Sequence, residues 1–117
     1  MIIDLAWPHK NLNPNQRVHW AEKSRLAKSA RIASHWAAKA AGADKLQAEA
    51  LNVTVTFLPP DSRRRDTDNM VASIKHHLDG IADAAGVNDS KFNLTIRRGE
   101  AVMNGCVRVE LEPARAT

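Results

Sequence analysis

The sequence predicts an α+β domain, a small mixed β-sheet with two main helices packed mostly on one face. Apolar and polar residues alternate in short stretches such as 51–57 and 107–111, and they recur every three or four residues in two longer stretches. The elements read this way follow one another as β-α-β-α-β-β, an order that in one domain implies α+β. The 117 residues allow one domain, residues 1–117, and leave no room for a second core.

In order along the chain, "IIDLAW" is a short strand closed by Pro8. "HKNLNPNQRV" is loop, because Asn and Pro favour turns over either regular state. Trp20 to about Ala41 reads as a helix with Trp20, Leu26 or Ala27, Ala30, Ala33 and Trp36 or Ala37 on its apolar stripe, and Gly42 as its stop. By this reading Trp7, Trp20 and Trp36 belong to the core. "LNVTVTFLPP" alternates Leu51, Val53, Val55 and Phe57 with Asn52, Thr54 and Thr56, a half-buried strand ended by two prolines. Met70, Val71, Ile74, Leu78, Ile81, Ala82 and Ala85 mark a second helix that starts at the aspartates of "RRRDTDN" and is capped by Gly86. "NLTIRRG" and "GCVRVELEP" are the last two strands.

Composition narrows the function classes. Seventeen Lys and Arg against 13 Asp and Glu give a net charge of +4 and a basic pI, which favours a polyanionic partner. The single cysteine, Cys106, excludes a disulfide framework and a Cys-rich zinc site, and it reads as a buried, inert strand residue. "MIIDLAWPHK" is neither a secretory signal nor a membrane span, so a soluble cytoplasmic protein without a membrane partner is expected. His76 and His77 are adjacent on a helix, point about 100° apart and do not form the i, i+4 pair of helical zinc sites.

The densest chemistry lies in "RRRDTDN", Arg63 to Asn69. Residues two apart in an extended segment point the same way, so Asp66 and Asp68 can converge on one cation, and Mg²⁺ needs only one or two carboxylates plus substrate phosphate. Equally, Asp68 can cap the helix while Asp66 balances Arg64 or Arg65. Counted by 100° steps, Asp68, Lys75 and Asp79 fall within about 40° of one helix face, which brings Lys75 toward the aspartates and makes Asp79 its i, i+4 partner. Asp89 lies in the short loop after Gly86, where an aspartate commonly makes a turn.

Together, "RRRDTDN", Lys75 four residues before Asp79 in "KHHLDGIADAAG", and "NDSK" resemble the signature of the RusA-like Holliday junction resolvases, endonucleases of phages and prophages. "LAWPHKNLNPNQRVHW" is similar to that family's opening, so the likeness spans most of the chain, with its specific part at residues 63–91. The resemblance implies that Asp66, Asp68 and Asp89 are metal ligands, that Lys75 is the essential lysine, and that the chain acts as a homodimer on four-way or other branched DNA with Mg²⁺, Mn²⁺ being a possible substitute. It implies paired, symmetric incisions leaving 5′-phosphates, in recombination and repair, with no small-molecule cofactor. Arg63, Arg64, Arg65 and Asn69 then become the DNA contacts, guanidinium forks being suited to phosphate. Lys or Arg on the first helix would guide other arms. Two features depart from the family: Lys75 follows the D-x-D pair by about one helical turn more than usual, and Asn88 stands where a second acid is common. Rival readings are a non-catalytic DNA-binding or architectural protein and a nuclease for forks, flaps or duplex ends.

Overall fold

β-branched and aromatic residues alternating with polar ones make four strands, and in the computed structural model, which describes residues 1–115, they form one mixed sheet. β1 (Ile2–Leu5), β2 (Ala50–Leu58), β3 (Phe92–Arg98) and β4 (Cys106–Ala114) lie in the order β1-β4-β2-β3. β4 runs antiparallel to both neighbours, and β2 and β3 are parallel. Three helices accompany them, α1 (Trp20–Ala40), α2 (Thr67–Ser73) and α3 (Lys75–Ala85). The α+β class and the order of elements are as the sequence predicts, apart from one division in the second helix.

Register explains the main core. Val53 faces Leu111, Val55 faces Val109, and Phe57 faces Val107, which in turn faces Leu5. Being on one face, all six partners of those three central pairs are buried to 1% exposure or less. Ala38, Met70, Ile74, Leu78 and Ile81 from the helices join the same cluster. Each such large side chain contributes on the order of 1.5–3 kcal/mol on burial. Asn52, Arg108, Glu110 and Glu112 point to the other face and are exposed, as alternation requires of a sheet covered on one side. There Arg108 donates to Asp4 at 2.8 and 3.1 Å, across the paired positions of β1 and β4.

Parallel pairing of β2 and β3 forces the chain to return the length of the sheet between them, and α2 and α3 make that return. Residues 59–66 therefore leave the carboxyl end of β2 and deliver the arginines and aspartates to α2. The expected continuous helix is divided at Ile74, whose φ of −108° and ψ of 11° are not helical. Ser73 Oγ donates to the Asn69 carbonyl at 2.8 Å, a back-bond that competes with the helical ladder, and Ile74 N–H reaches the Val71 and Ala72 carbonyls. The end of α3 is as expected, with Gly86 at φ 68°, where a residue bearing Cβ is strained.

The apolar stripe of α1 differs from the sequence reading. Leu26, Ala30, Ser34 and Ala38 are buried, whereas Trp20 and Trp36 are 76% and 59% exposed. Only Trp7 packs inward, edge-on to Phe57 with ring centroids 6.1 Å apart. On one side of α1, α3 crosses so close that a Cβ on Gly80 would overlap the Arg31 carbonyl oxygen, and nearer the start of α1 Leu26 and Ala30 pack on Leu12. Cys106 is half-buried, and burial raises its thiol pKa, so it stays protonated and unreactive at neutral pH.

Candidate functional site

Two grooves flank α2, and they divide the predicted residues between them. The first, of about 570 Å³, is lined by Trp7, His9, Lys10, Asn13, Asn15 and Gln16 from the loop after β1 and by Arg63, Arg64, Arg65, Asp66 and Asn69 from the approach to α2. The second is largely apolar, with Leu12, Val71, Leu78, Phe92 and Leu94 beside Lys23, Lys75, His76 and Asp89. Helical spacing accounts for the division, because Asn69 and Ser73 share one side of α2 and Val71 and Ala72 the other, where Lys75 at the start of α3 joins them.

The three arginines have three different settings. Arg65 is 17% exposed in its side chain. Its Nη1 donates to the Asp61 carbonyl at 3.1 Å, to Asp61 Oδ1 at 2.9 Å and to the Arg63 carbonyl at 3.1 Å, while its guanidinium lies 5.5 Å from the Trp7 ring centroid. Arg65 thus stiffens the loop, and its largely covered side chain presents little open surface to a ligand. Arg63 donates to Asp61 Oδ2 at 3.2 Å but stays open to solvent. With both arginines on it, Asp61 is held well below the usual carboxylate range. Arg64 is 94% exposed, and its nearest acid, Asp66, is 4.0 Å away.

Arg98, at the carboxyl end of β3, was not signalled by the sequence. Its Nη2 donates to the Arg65 carbonyl at 2.6 Å and its Nη1 reaches Thr67 Oγ1 at 3.4 Å. β3 is thereby tied to the start of α2. The residues of the loop 9–16 were legible as turn formers and as part of the family-like opening, but their polar side chains come to face the arginines only through the fold.

Neither aspartate of the D-x-D pair is fully used by the fold. Asp66 is the N-cap of α2 in extended conformation, yet its side chain makes no capping bond, which departs from the usual role of aspartate there. Asp68 lies inside the first helical turn, so the extended-chain convergence of the pair does not hold. Its Oδ1 accepts the N–H of Asn69 at 3.0 Å, and Asp68 remains exposed.

Lys75 and Asp89 do meet. Lys75 Nζ donates to Asp79 Oδ1 at 2.9 Å and to Asp89 Oδ2 at 2.7 Å. Asn88 takes the turn bond, its Oδ1 accepting Ser90 N–H at 2.9 Å, which leaves Asp89 free to face the lysine. The Asp89 hydrogen bond, followed by that of Asp79, raises the Lys75 pKa, and the Lys75 hydrogen bond lowers that of Asp89. Lys75→Met should therefore raise the Asp89 titration midpoint toward the ordinary carboxylate range in carboxyl-detected NMR. An unmoved midpoint would mean that the ion pair does not persist in solution.

The expected trio of metal ligands, Asp66, Asp68 and Asp89, is not gathered. Among the described residues no group of three His, Cys, Asp or Glu side chains could hold a metal. Asp89 faces the Lys75 ammonium instead. Asp66 and Asp68 retain exposed, hard oxygen donors, Asp66 in the lining of the first groove, and that donor chemistry fits a Mg²⁺ ion completed by water and substrate phosphate. The fit is to one or both of these two carboxylates and not to a three-acid cage.

No family model matches the chain. It is similar to a protein of Xylella fastidiosa (strain Temecula1 / ATCC 700964) described as "Uncharacterized protein", with 41% identity over 93 residues. The alignment covers 77% of this chain and 61% of that protein, so the chain spans about three fifths of its relative's length. Among the described residues no helix is long and apolar enough to cross a membrane.

Proposed function

We propose that this chain is a Mg²⁺-dependent endodeoxyribonuclease of the RusA-like kind, acting in the cytoplasm as a homodimer on four-way or other branched DNA. The observation that carries the reading is Asp66, an N-cap aspartate without its capping bond, set beside the solvent-exposed Arg64 in a polar groove. A fold that needed the aspartate only for the helix would use it there. Phosphodiester chemistry instead calls for a free carboxylate next to a cation able to hold phosphate.

In this mechanism Arg64 and Arg63 bind phosphates of the substrate strand from the mouth of the groove, with Asn69 as a neutral hydrogen-bonding partner. Arg65 and Arg98 keep the loop rigid, which fixes where those phosphates rest. Asp66 and Asp68 would hold Mg²⁺, which when bound activates water and neutralises charge developing on the phosphoryl group. Lys75 keeps Asp89 in place and supplies positive charge beside the second groove. A homodimer accounts for two symmetric incisions through two sites related by a two-fold axis.

A specific observation favours a second reading. The ammonium of Lys75 occupies the carboxylate expected to be the third ligand, as it would in a DNA-binding protein that does not cut. The test is incubation of labelled four-way junction, fork and linear duplex with the purified protein in Mg²⁺ or EDTA, beside Asp68→Asn. Paired nicks on the junction that disappear in EDTA and fall about tenfold or more in the variant, about 1.4 kcal/mol of barrier, are expected. Junction binding without nicks in Mg²⁺ or Mn²⁺ would leave the non-catalytic reading.

A further inference from the structure

The outward face of α1 is a mixed cationic and aromatic surface that neither groove uses. By 100° steps, Arg25, Lys28, Ile32, Trp36 and Lys39 fall within about 80° of one another, opposite the buried stripe of Leu26, Ala30, Ser34 and Ala38. Ile32 and Trp36 are 49% and 59% exposed. Lys39 Nζ lies 5.2 Å from the Trp36 ring centroid. Glu22, the one acid of α1, is spent on Arg25 at 2.9 Å. Lys28 and Lys39 form no ion pair among the described residues.

We infer that this face binds unpaired DNA, with the Trp36 indole stacking on an exposed base while Lys28 and Lys39 engage the flanking phosphates. Charge complementarity selects the occupant. A second copy docked through the same face would set lysine against lysine with no acid to offset it. Two exposed apolar side chains among cations offer too little hydrophobic area for a helix to insert in a lipid interface, where a continuous apolar side is needed. Single-stranded DNA presents the two features that match, flat faces for an indole and regularly spaced anions for the lysines. Fully paired duplex presents only the second. The inference rests on the nuclease reading only in taking DNA as the partner, and it shifts the preferred substrate toward branches carrying single-stranded segments.

The test is fluorescence anisotropy of the full chain in EDTA, with labelled oligo-dT and a duplex of equal length. Trp36→Ala is expected to weaken oligo-dT binding about tenfold and to leave duplex binding within about twofold, with Trp36→Phe restoring most of the loss. Lys28→Ala and Lys39→Ala should each weaken both ligands and reduce the salt slope by about 1. Equal loss on both DNAs, or none, in Trp36→Ala overturns the inference. So does Trp36-dependent binding to vesicles of anionic phospholipid in the absence of oligo-dT binding. Because no cleavage is read, failure of the nuclease assay leaves this result standing. Duplex binding that persists without any Trp36 dependence removes the stacking face alone, and absence of all DNA binding removes both readings.

Discussion

Between about pH 6.5 and 4 the protein should lose about 3 kcal/mol of stability through one residue, His77. Its imidazole is 8% exposed in the core-facing side of α3, and Nδ1 has no hydrogen-bond partner. Burial, with a lesser contribution from neighbouring His76, pushes its pKa down to about 4. In the unfolded chain the group titrates near 6.5. Above that value both states are neutral and the histidine contributes no pH dependence. As pH falls below it, the unfolded chain takes up a proton that the folded chain refuses, so stability declines and levels off under the folded pKa. A difference of about 2.5 units corresponds to about 3 kcal/mol at 1.36 kcal/mol each. Urea melts at pH 7, 6, 5 and 4.5 measure the decline, and His77→Leu should remove it while keeping the apolar packing. The depressed carboxylates Asp4, Asp83 and Asp89 act in the same direction, but their unfolded pKa lies near 4, so their share appears at lower pH. A wild-type curve flat from pH 7 to 5 would place His77 in a wetter setting than the fold gives it.

What was legible in the sequence follows the contrast between its residues. β2 was plain because Val and Phe alternate with Asn and Thr, and the face they choose is the face the structure buries. α1 was legible as a helix but not in its orientation. Alanines occur all round it, so Trp20 and Trp36 dominated the pattern, while the position that decides the orientation, Gly80, lies on a different helix. The break at Ile74 depends on Ser73 turning its hydroxyl back onto Asn69, which a serine in sequence does not announce. At the site, the pairing of Lys75 with Asp79 followed from an i, i+4 spacing. The roles of Arg63, Arg64 and Arg65 did not. Three identical residues in a row are distinguished only by Asp61 and by Trp7, which arrives from the loop after β1. Asp89 was singled out as a loop aspartate and, by resemblance, as a metal ligand, whereas its partner in the fold is the Lys75 ammonium, which no spacing in the sequence announces.

Gly80→Ala is expected to destabilise the fold by about 2 kcal/mol, lowering the melting temperature by roughly 8 °C. Glycine within a helix is ordinarily a weak point, and alanine there would gain about 1 kcal/mol in propensity. Here a Cβ would overlap the Arg31 carbonyl oxygen and stand 3.0 Å from the backbone nitrogen of His35. These are main-chain atoms of α1, so no rotamer change relieves the overlap and the two helices must move apart. Separation would open the packing of Ser34 and Ala38, both fully buried. It would also stretch the bridge in which Arg31 donates to Asp83 at 2.6 and 2.9 Å. The displacement reaches the candidate site, since Asp79 adjoins Gly80 and holds Lys75, which holds Asp89. Thermal melts should therefore show the loss, and the Asp89 titration midpoint should rise in the same variant as the ion pair loosens. A stabilised Gly80→Ala protein would show that propensity wins and that the helices are farther apart than their backbones indicate. A destabilised variant with Asp89 unmoved would show that the end of α3 is held by its own turn and not by α1.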